Sequence, residues 1–117
     1  MNAPLLDTDK ERLLHILESV ALIEQLLRQP SRDRIAQLAL ERCFEIIGEA
    51  CRHISRPLRK AYPAIPWTSI IGLRNIVTHD CDKVDMMTIW DIAEHKIPAL
   101  KDWIKGILDE HNKGSKQ

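Results

Sequence analysis

The sequence predicts an all-α protein, an antiparallel bundle of four main helices plus a short connector helix or turn. In the long segments, apolar residues recur at steps of three and four, which places them on one face of a helix. No segment alternates with the period of a strand, and nothing repeats at a fixed interval. A chain of 117 residues fits one domain, so we assign residues 1–117 to a single domain.

The apolar spacing and the prolines set the predicted boundaries. We predict helices over residues 7–27, 32–54 and 67–78. Three prolines interrupt residues 55–66, so this stretch is predicted to be a connector with a short helical turn at most.

A fourth helix is predicted to begin near residue 84. Pro98 lies inside its apolar pattern and is expected to kink it near residues 93–94, because the proline ring meets the preceding turn. From about residue 111 the chain is polar, and we expect this tail to fray.

The second predicted helix carries a wide apolar surface. Ile35 and Leu38 fall on its core stripe, and Leu40 and Phe44 lie beside that stripe. One partner helix would not need so broad a surface, so we expect a second contact there and dimerisation through helix faces.

Charge and cysteine content restrict the function classes. Seventeen basic residues balance seventeen acidic ones, so any binding of RNA must come from local patches. The first residues lack the pattern of a secretion signal, and no apolar run reaches the roughly 20 residues that span a bilayer, so we expect a cytoplasmic protein without membrane contact. Three cysteines without that signal argue against disulfides, and we predict neither a metal site nor a cofactor.

Residues 71–82 (IGLRNIVTHDCD) concentrate the chemistry of the chain. Arg74 and His79 would lie about 140° apart around an unbroken helix, so the pair fits one substrate only if the helix ends at Thr78. Arg74 can then hold a phosphate and stabilise transition-state charge, while His79 exchanges a proton with a ribose hydroxyl or a leaving oxygen. Asn75 and Asp80 are supporting candidates.

Other interpretations of these residues stay open. An arginine near a helix end often pairs with the macrodipole or an acid, and a histidine there often caps carbonyl groups. A basic cluster fits two interpretations, a contact with RNA phosphates and a solvated surface. It contains Arg52, Arg56, Arg59 and Lys60.

The segment resembles the HepT-like branch of the HEPN superfamily, and the likeness extends along most of the chain. Residues 45–50 (EIIGEA) resemble the second-helix signature of that family, and residues 61–67 (AYPAIPW) followed by 70–75 (IIGLRN) resemble the approach to its Arg-x4-His motif. Residues 84–85 and 97–100 look like its final helix. These segments occur in the order and at the distances that the family shows.

The resemblance implies a homodimeric, metal-independent endoribonuclease, the toxin of a type VII toxin-antitoxin pair, with two copies of the motif facing one cleft. Arg74 and His79 take the catalytic roles by this resemblance. The implied partner is a small MNT-type nucleotidyltransferase antitoxin. The alternative is a non-catalytic HEPN interaction module that dimerises and binds such a nucleotidyltransferase.

One position departs from the family pattern. The family antitoxin transfers AMP to a tyrosine two residues after the histidine, and this chain has Cys81 there. Neutralisation by simple binding, modification elsewhere and a variant without the acceptor all remain open. Tyr62, the only tyrosine, lies in the connector and is expected to be structural.

Overall fold

The computed structural model describes residues 5–79 and 86–115, with side chains over residues 5–76 and 87–112. The described residues form six helices and no strand, so the predicted all-α class is confirmed. None of these helices is long and apolar enough to cross a membrane. In chain order they are α1 (Asp7–Arg28), α2 (Arg34–Arg52), α3 (Arg56–Ala61), α4 (Trp67–His79), α5 (Met86–His95) and α6 (Ile97–Ser115).

Helix α2 lies at the centre of the packing. It contacts α1 on one side and α4 on another, and α6 packs against α1 and α5. The apolar stripes of these helices meet in one core, which removes their side chains from water. The largest fully buried side chains are Leu13, Ile16, Val20, Ile23, Leu40, Phe44, Ile47, Ile54, Leu58, Ile89, Ile104 and Ile107.

Two aspartates fix helix ends. Asp33 caps α2 by accepting a hydrogen bond from the Ala36 amide at 2.9 Å. Asp9, in the first turn of α1, is only 1% exposed and accepts from the backbone amide of Ser55 at 2.8 Å and from its hydroxyl at 2.6 Å. The start of α1 is thereby tied to the segment that follows α2.

Helices α2 and α4 approach each other most closely at Gly48. A Cβ atom at this position would lie 2.9 Å from both the Cβ and the backbone nitrogen of Arg74, and 3.0 Å from the carbonyl oxygen of Ile71. These atoms belong to the backbone of α4 or are attached directly to it, so no flexible side chain can move aside. The contact therefore requires glycine.

The predicted faces of α2 need a correction. Leu40 and Phe44 were expected to reach a second contact, but both are fully buried in the core of this chain. Ile35 and Leu38 were assigned to the core stripe, but they are 77% and 48% exposed. Because α1 and α4 cover α2 from two sides, its buried arc is wide and includes Leu40 and Phe44, while Ile35 and Leu38 lie outside that arc.

The predicted kink in the last long helix was misplaced. The chain forms two helices that are separated at Lys96, whereas residues 93–94 remain within α5. Pro98 lies in the first turn of α6, where its missing N–H costs no helical hydrogen bond, and it restricts the residue before it. The proline thus marks the start of a new helix.

The carboxyl-terminal helix α6 continues to Ser115. Fraying of the tail from about residue 111 stays a prediction. The ring of His111 contributes a local contact, because its Nδ1 lies 2.9 Å from the carbonyl oxygen of Ile107 one turn earlier.

Replacing Gly48 by alanine tests the close approach of α2 and α4. We expect Gly48→Ala to lower the free energy of unfolding by about 1–3 kcal/mol, because the two helices must move apart to admit the methyl group. Urea unfolding followed by circular dichroism measures the change. The matched control is Gly106→Ala in α6, where a Cβ meets no atom within 4 Å and should stabilise the helix by up to about 1 kcal/mol. Equal stability of Gly48→Ala and the unaltered protein would contradict the proposed constraint.

Candidate active site

Arg74 projects from α4 toward Glu49 of α2. Its Nε lies 3.1 Å from Glu49 Oε1, and the two side chains are 41% and 42% exposed. Glu49 Oε1 accepts no hydrogen bond from any residue that the structure describes, so the contact is an ion pair without hydrogen-bond alignment. A half-exposed pair contributes little to stability, and its main effect is to orient the guanidinium.

Glu49 also contacts His53 and Arg52, which follow it in the chain. Its Oε2 lies 3.0 Å from Nε2 of His53, one turn along α2, and its Oε1 lies 3.9 Å from Nε of Arg52. The hydrogen bond from His53 is the main cause that lowers the pKa of Glu49. Desolvation opposes this shift, and the charges of Arg52 and Arg74 add to it. Glu49 therefore stays a carboxylate at neutral pH and holds Arg74 by charge.

An open cavity of about 320 Å³ lies beside this pair. Helices α1, α2 and α4 all contribute to its wall, and charged side chains dominate it. We call this space the Arg74 cleft. It is lined by Arg12, His15, Arg42, Glu45, Ile46, Glu49, Ala50 and Arg74.

The Arg74 cleft continues into an apolar groove along the outside of α1 and α2. The next cavity, of about 380 Å³, shares Arg42 and Ile46 with the cleft. A third, of about 310 Å³, shares Leu26 and Ala39 with the second and reaches the exposed Ile35. The Arg74 cleft and these two cavities thus form one continuous groove, which we call the seam, with a charged end and an apolar end. We call the apolar part the α1–α2 groove, and it is lined chiefly by Leu22, Leu26, Ile35, Ala39 and Ile46.

The structure describes the side chain of only one of the two predicted motif residues. Arg74 faces the solvent-open cleft, and Asn75 beside it is exposed. Helix α4 was expected to end at Thr78, but its backbone is helical through His79. The polar residues after Thr78 therefore do not end the helix there. Positions 74 and 79 lie on one continuous helix, about 140° apart around its axis. The side chain of His79, and the whole of Asp80 and Cys81, lie outside the described residues.

The predicted basic cluster is not part of the Arg74 cleft. Arg52 contacts Glu49 at 3.9 Å without lining the cleft, and Arg56 and Lys60 are exposed on α3. Arg59 is half-buried, with a buried Nε that has no hydrogen-bond partner among the described residues. None of the four lines the cavity that contains Arg74.

Three cleft residues were missed by sequence reasoning. Arg12 and His15 are three apart on α1, and Arg42 lies three residues before Glu45 on α2, so each pair shares a helix face. This spacing was visible in the sequence. It identifies which residues of one helix lie together, but it does not reveal which faces of two helices meet.

The thiols and the phenol of the described region are poor sites for chemistry. Burial raises the pKa of Cys43, and it raises that of Cys51 to about 12. The hydroxyl of Tyr62 donates to Glu110 of α6 at 2.7 Å, and its pKa is raised to about 12, first by burial and then by that hydrogen bond. Tyr62 thus ties the connector to α6. A protonated, hydrogen-bonded phenol is a weak nucleophile, which argues against Tyr62 as a replacement acceptor for AMP.

Comparison with known proteins decides the family. The family model described as "Ribonuclease HepT-like" matches residues 16–107, which include α2, Arg74 and most of α6. The chain belongs to the HepT-like ribonuclease family. The predicted HepT-like assignment within the HEPN superfamily is thereby confirmed. No solved structure matches the chain.

Several curated relatives carry ribonuclease names. The "Probable ribonuclease HepT" of Thermococcus cleftensis is 33% identical over 97 residues, which cover 79% of this chain and 88% of that protein. The "Putative RNase TTE0752" of Caldanaerobacter subterraneus subsp. tengcongensis is 29% identical and covers 88% and 96%. The "Gamma-glutamylcyclotransferase and putative RNase MJ0434" of Methanocaldococcus jannaschii is 35% identical over 86% of this chain. The match spans about half, 48%, of that relative's length.

The lowered pKa of Glu49 predicts a pH-dependent effect of its replacement. A carboxyl group whose folded pKa lies below its unfolded value stabilises the fold above the unfolded pKa, here near 4.5. That contribution is lost as the pH falls through the folded pKa. We therefore expect Glu49→Gln to be slightly less stable than the unaltered protein at pH 7, because a half-exposed cluster contributes little, and we expect the difference to shrink below pH 4.5.

Urea unfolding of both proteins between pH 7 and pH 3.5 measures this difference. Glu18→Gln, which removes an exposed carboxylate of α1, is the matched control. A stability difference for Glu49→Gln that does not change with pH would show that the carboxylate charge is not what holds the cluster.

Proposed function

We propose that this chain is a metal-independent endoribonuclease that cleaves RNA with Arg74 and His79. The observation that carries the proposal is the placement of Arg74, which a carboxylate orients at the wall of an open, arginine-lined cleft in a chain of the HepT-like ribonuclease family. A guanidinium presents a fixed fork of N–H donors that matches a phosphate, so an oriented arginine suits the recognition of a phosphodiester.

The proposed reaction uses the nucleophile that RNA itself carries. The ribose 2′-oxygen attacks the adjacent phosphorus, a bond from O2′ to phosphorus forms, and the bond from phosphorus to O5′ breaks. His79 exchanges the protons that this step requires, one leaving O2′ and one joining O5′. Arg74 stabilises the negative charge that grows on the phosphoryl oxygens. Asn75 and Asp80, which follow Arg74 and His79 directly in the sequence, are the supporting residues of this proposal.

The geometry of α4 supports a site made by two copies of the chain. Positions 74 and 79 lie about 140° apart around the backbone of one helix, which favours a site that a second copy completes. A dimer with two α4 helices at one cleft supplies Arg74 and His79 twice. The α1–α2 groove leads into the Arg74 cleft and exposes Leu22 by 48% and Ile35 by 77%, so we place the second copy on this groove.

The proposed toxin role and the proposed partner rest on the family resemblance. We propose that an MNT-type nucleotidyltransferase neutralises the ribonuclease. Because Cys81 replaces the tyrosine of the pattern and Tyr62 is engaged with Glu110, we favour neutralisation by binding over transfer of AMP to tyrosine.

Cleavage of total RNA in excess EDTA tests the ribonuclease. We expect the unaltered protein to cut, and His79→Ala to lower kcat by about 10²–10⁴-fold because proton exchange is lost. Arg74→Ala should lower kcat by about 10²–10³-fold through lost charge stabilisation. Sequencing of the cut ends should reveal a 2′,3′-cyclic phosphate and a 5′-hydroxyl.

His95→Ala and Arg28→Ala are the matched controls. Both residues are exposed, neither lines the Arg74 cleft, and neither belongs to residues 71–82. They should cut as well as the unaltered protein. If the folded protein cuts no RNA from a suitable host, the ribonuclease proposal is wrong, and the non-catalytic interaction module that binds a nucleotidyltransferase becomes the better interpretation.

A charge in the α1–α2 groove tests the dimer. We expect Leu22→Glu to weaken self-association about a hundredfold or more, because burying an unpaired charge costs about 3 kcal/mol or more. Sedimentation equilibrium measures the dissociation constant. Met87→Glu, which alters another exposed apolar residue away from the groove, should leave the dimer intact. If both variants self-associate as the unaltered protein does, the second copy lies elsewhere.

A further inference from the structure

Arg12 is the basic residue of the Arg74 cleft for which the described structure offers no counter-ion. Arg42 has Glu45 at 3.3 Å, and Arg74 has Glu49 at 3.1 Å. Arg12 is half-buried, and no described carboxylate lies within 4 Å of it, although Asp9 is one turn earlier on α1. Asp9 is buried and hydrogen-bonded to Ser55, so it is committed elsewhere.

A half-buried guanidinium without a carboxylate favours an anion from solution. Arg12 belongs to α1 and Arg74 to α4, yet both line the same cavity of about 320 Å³. This volume lies at the small end of the roughly 300–1,000 Å³ that ligand pockets occupy, so the space suits one short stretch of a strand. His15, exposed on α1 three residues after Arg12, adds an imidazole face on which a base can stack.

We propose that Arg12, with His15, forms a second RNA subsite that binds a backbone phosphate flanking the one held by Arg74. The proposal rests on the proposed ribonuclease function for its substrate. The cleft suits RNA because it pairs arginines with an imidazole and has polar walls. Arg12 takes no part in the chemistry. Its contact positions the strand so that the cut phosphate reaches Arg74.

This assignment separates binding from catalysis. Arg12 holds substrate and transition state equally, so its loss raises KM and leaves kcat nearly unchanged. Loss of Arg74 lowers kcat. The number of phosphates bound also sets the salt dependence, because each contact on a single strand releases about 0.7 counterion.

The test measures binding and cleavage separately. The binding probe is a fluorescein-labelled single-stranded RNA of about twelve residues with every 2′-hydroxyl methylated, which removes the nucleophile. Fluorescence anisotropy gives Kd between 50 and 300 mM NaCl. We expect Arg12→Ala and Arg12→Gln to weaken binding about tenfold at low salt and to reduce the slope of log K against log salt by about 0.7. Arg12→Lys should keep the slope.

Arg28→Ala is the matched control. It removes the same side chain from the same helix about 24 Å away, at 1.5 Å per residue. It should leave both Kd and slope unchanged. Equal losses in Arg12→Ala and Arg28→Ala would reveal a diffuse charge effect and overturn the subsite.

The outcomes distinguish the two proposals. If the unaltered protein cuts RNA and both Arg12 variants bind and cut like it, the subsite is wrong and the ribonuclease stands. If the protein binds the methylated RNA through Arg12 but cuts nothing, the subsite stands and the ribonuclease fails. If the unaltered protein does not bind this RNA, the subsite is overturned. Retained unfolding transitions in Arg12→Gln and Arg12→Lys exclude misfolding as the cause of a loss.

Discussion

The close contact of α2 with α4 at Gly48 determines both the packing and the candidate site. Without a Cβ at Gly48, the backbone and Cβ of Arg74 rest directly on α2. The next residue, Glu49, is thereby within 3.1 Å of the Arg74 Nε. One small residue thus sets the helix separation, and that separation places a carboxylate beside the arginine. A wider spacing would leave the core packed less densely and the guanidinium without its orienting charge.

Glu49 has two opposing effects on a bound phosphate. Its charge orients Arg74, and through Oε2 it also engages His53. The same charge lowers the positive potential that attracts RNA, and Glu45 beside Arg42 lowers it further. With zero net charge on the whole chain, attraction of RNA must come from a short local set of groups. Arg12 contributes to such a set without a described carboxylate to offset it, which is why its position matters more than the total number of arginines.

Sequence periodicity predicted the bounds of single helices, and it missed the features that depend on how two helices pack together. The bounds of α1 and α4 were predicted within one residue, because apolar spacing and prolines act locally. The assignment of Ile35 to the core failed because burial depends on which neighbours cover α2. The cleft shows the same limit. The sequence singled out Arg74 through its motif, whereas Arg12 became visible only when α1 was seen to share a wall with α4. A pattern along one helix carries no information about that neighbour.

The proposed dimer and the proposed RNA subsite use the two ends of one seam, and this has a physical consequence. The apolar end, around Leu22 and Ile46, gains from being covered, because burying apolar surface is favourable. The charged end, around Arg12 and Arg74, loses if it is covered without an anion, because burying an unpaired charge is costly. A second copy on the groove should therefore cover the apolar part up to Arg42 and Ile46 and leave an open gap at the charged end, between the two α4 helices of the proposed site. An RNA strand can enter that gap at the edge of the interface, so assembly and substrate binding need not compete for the same surface.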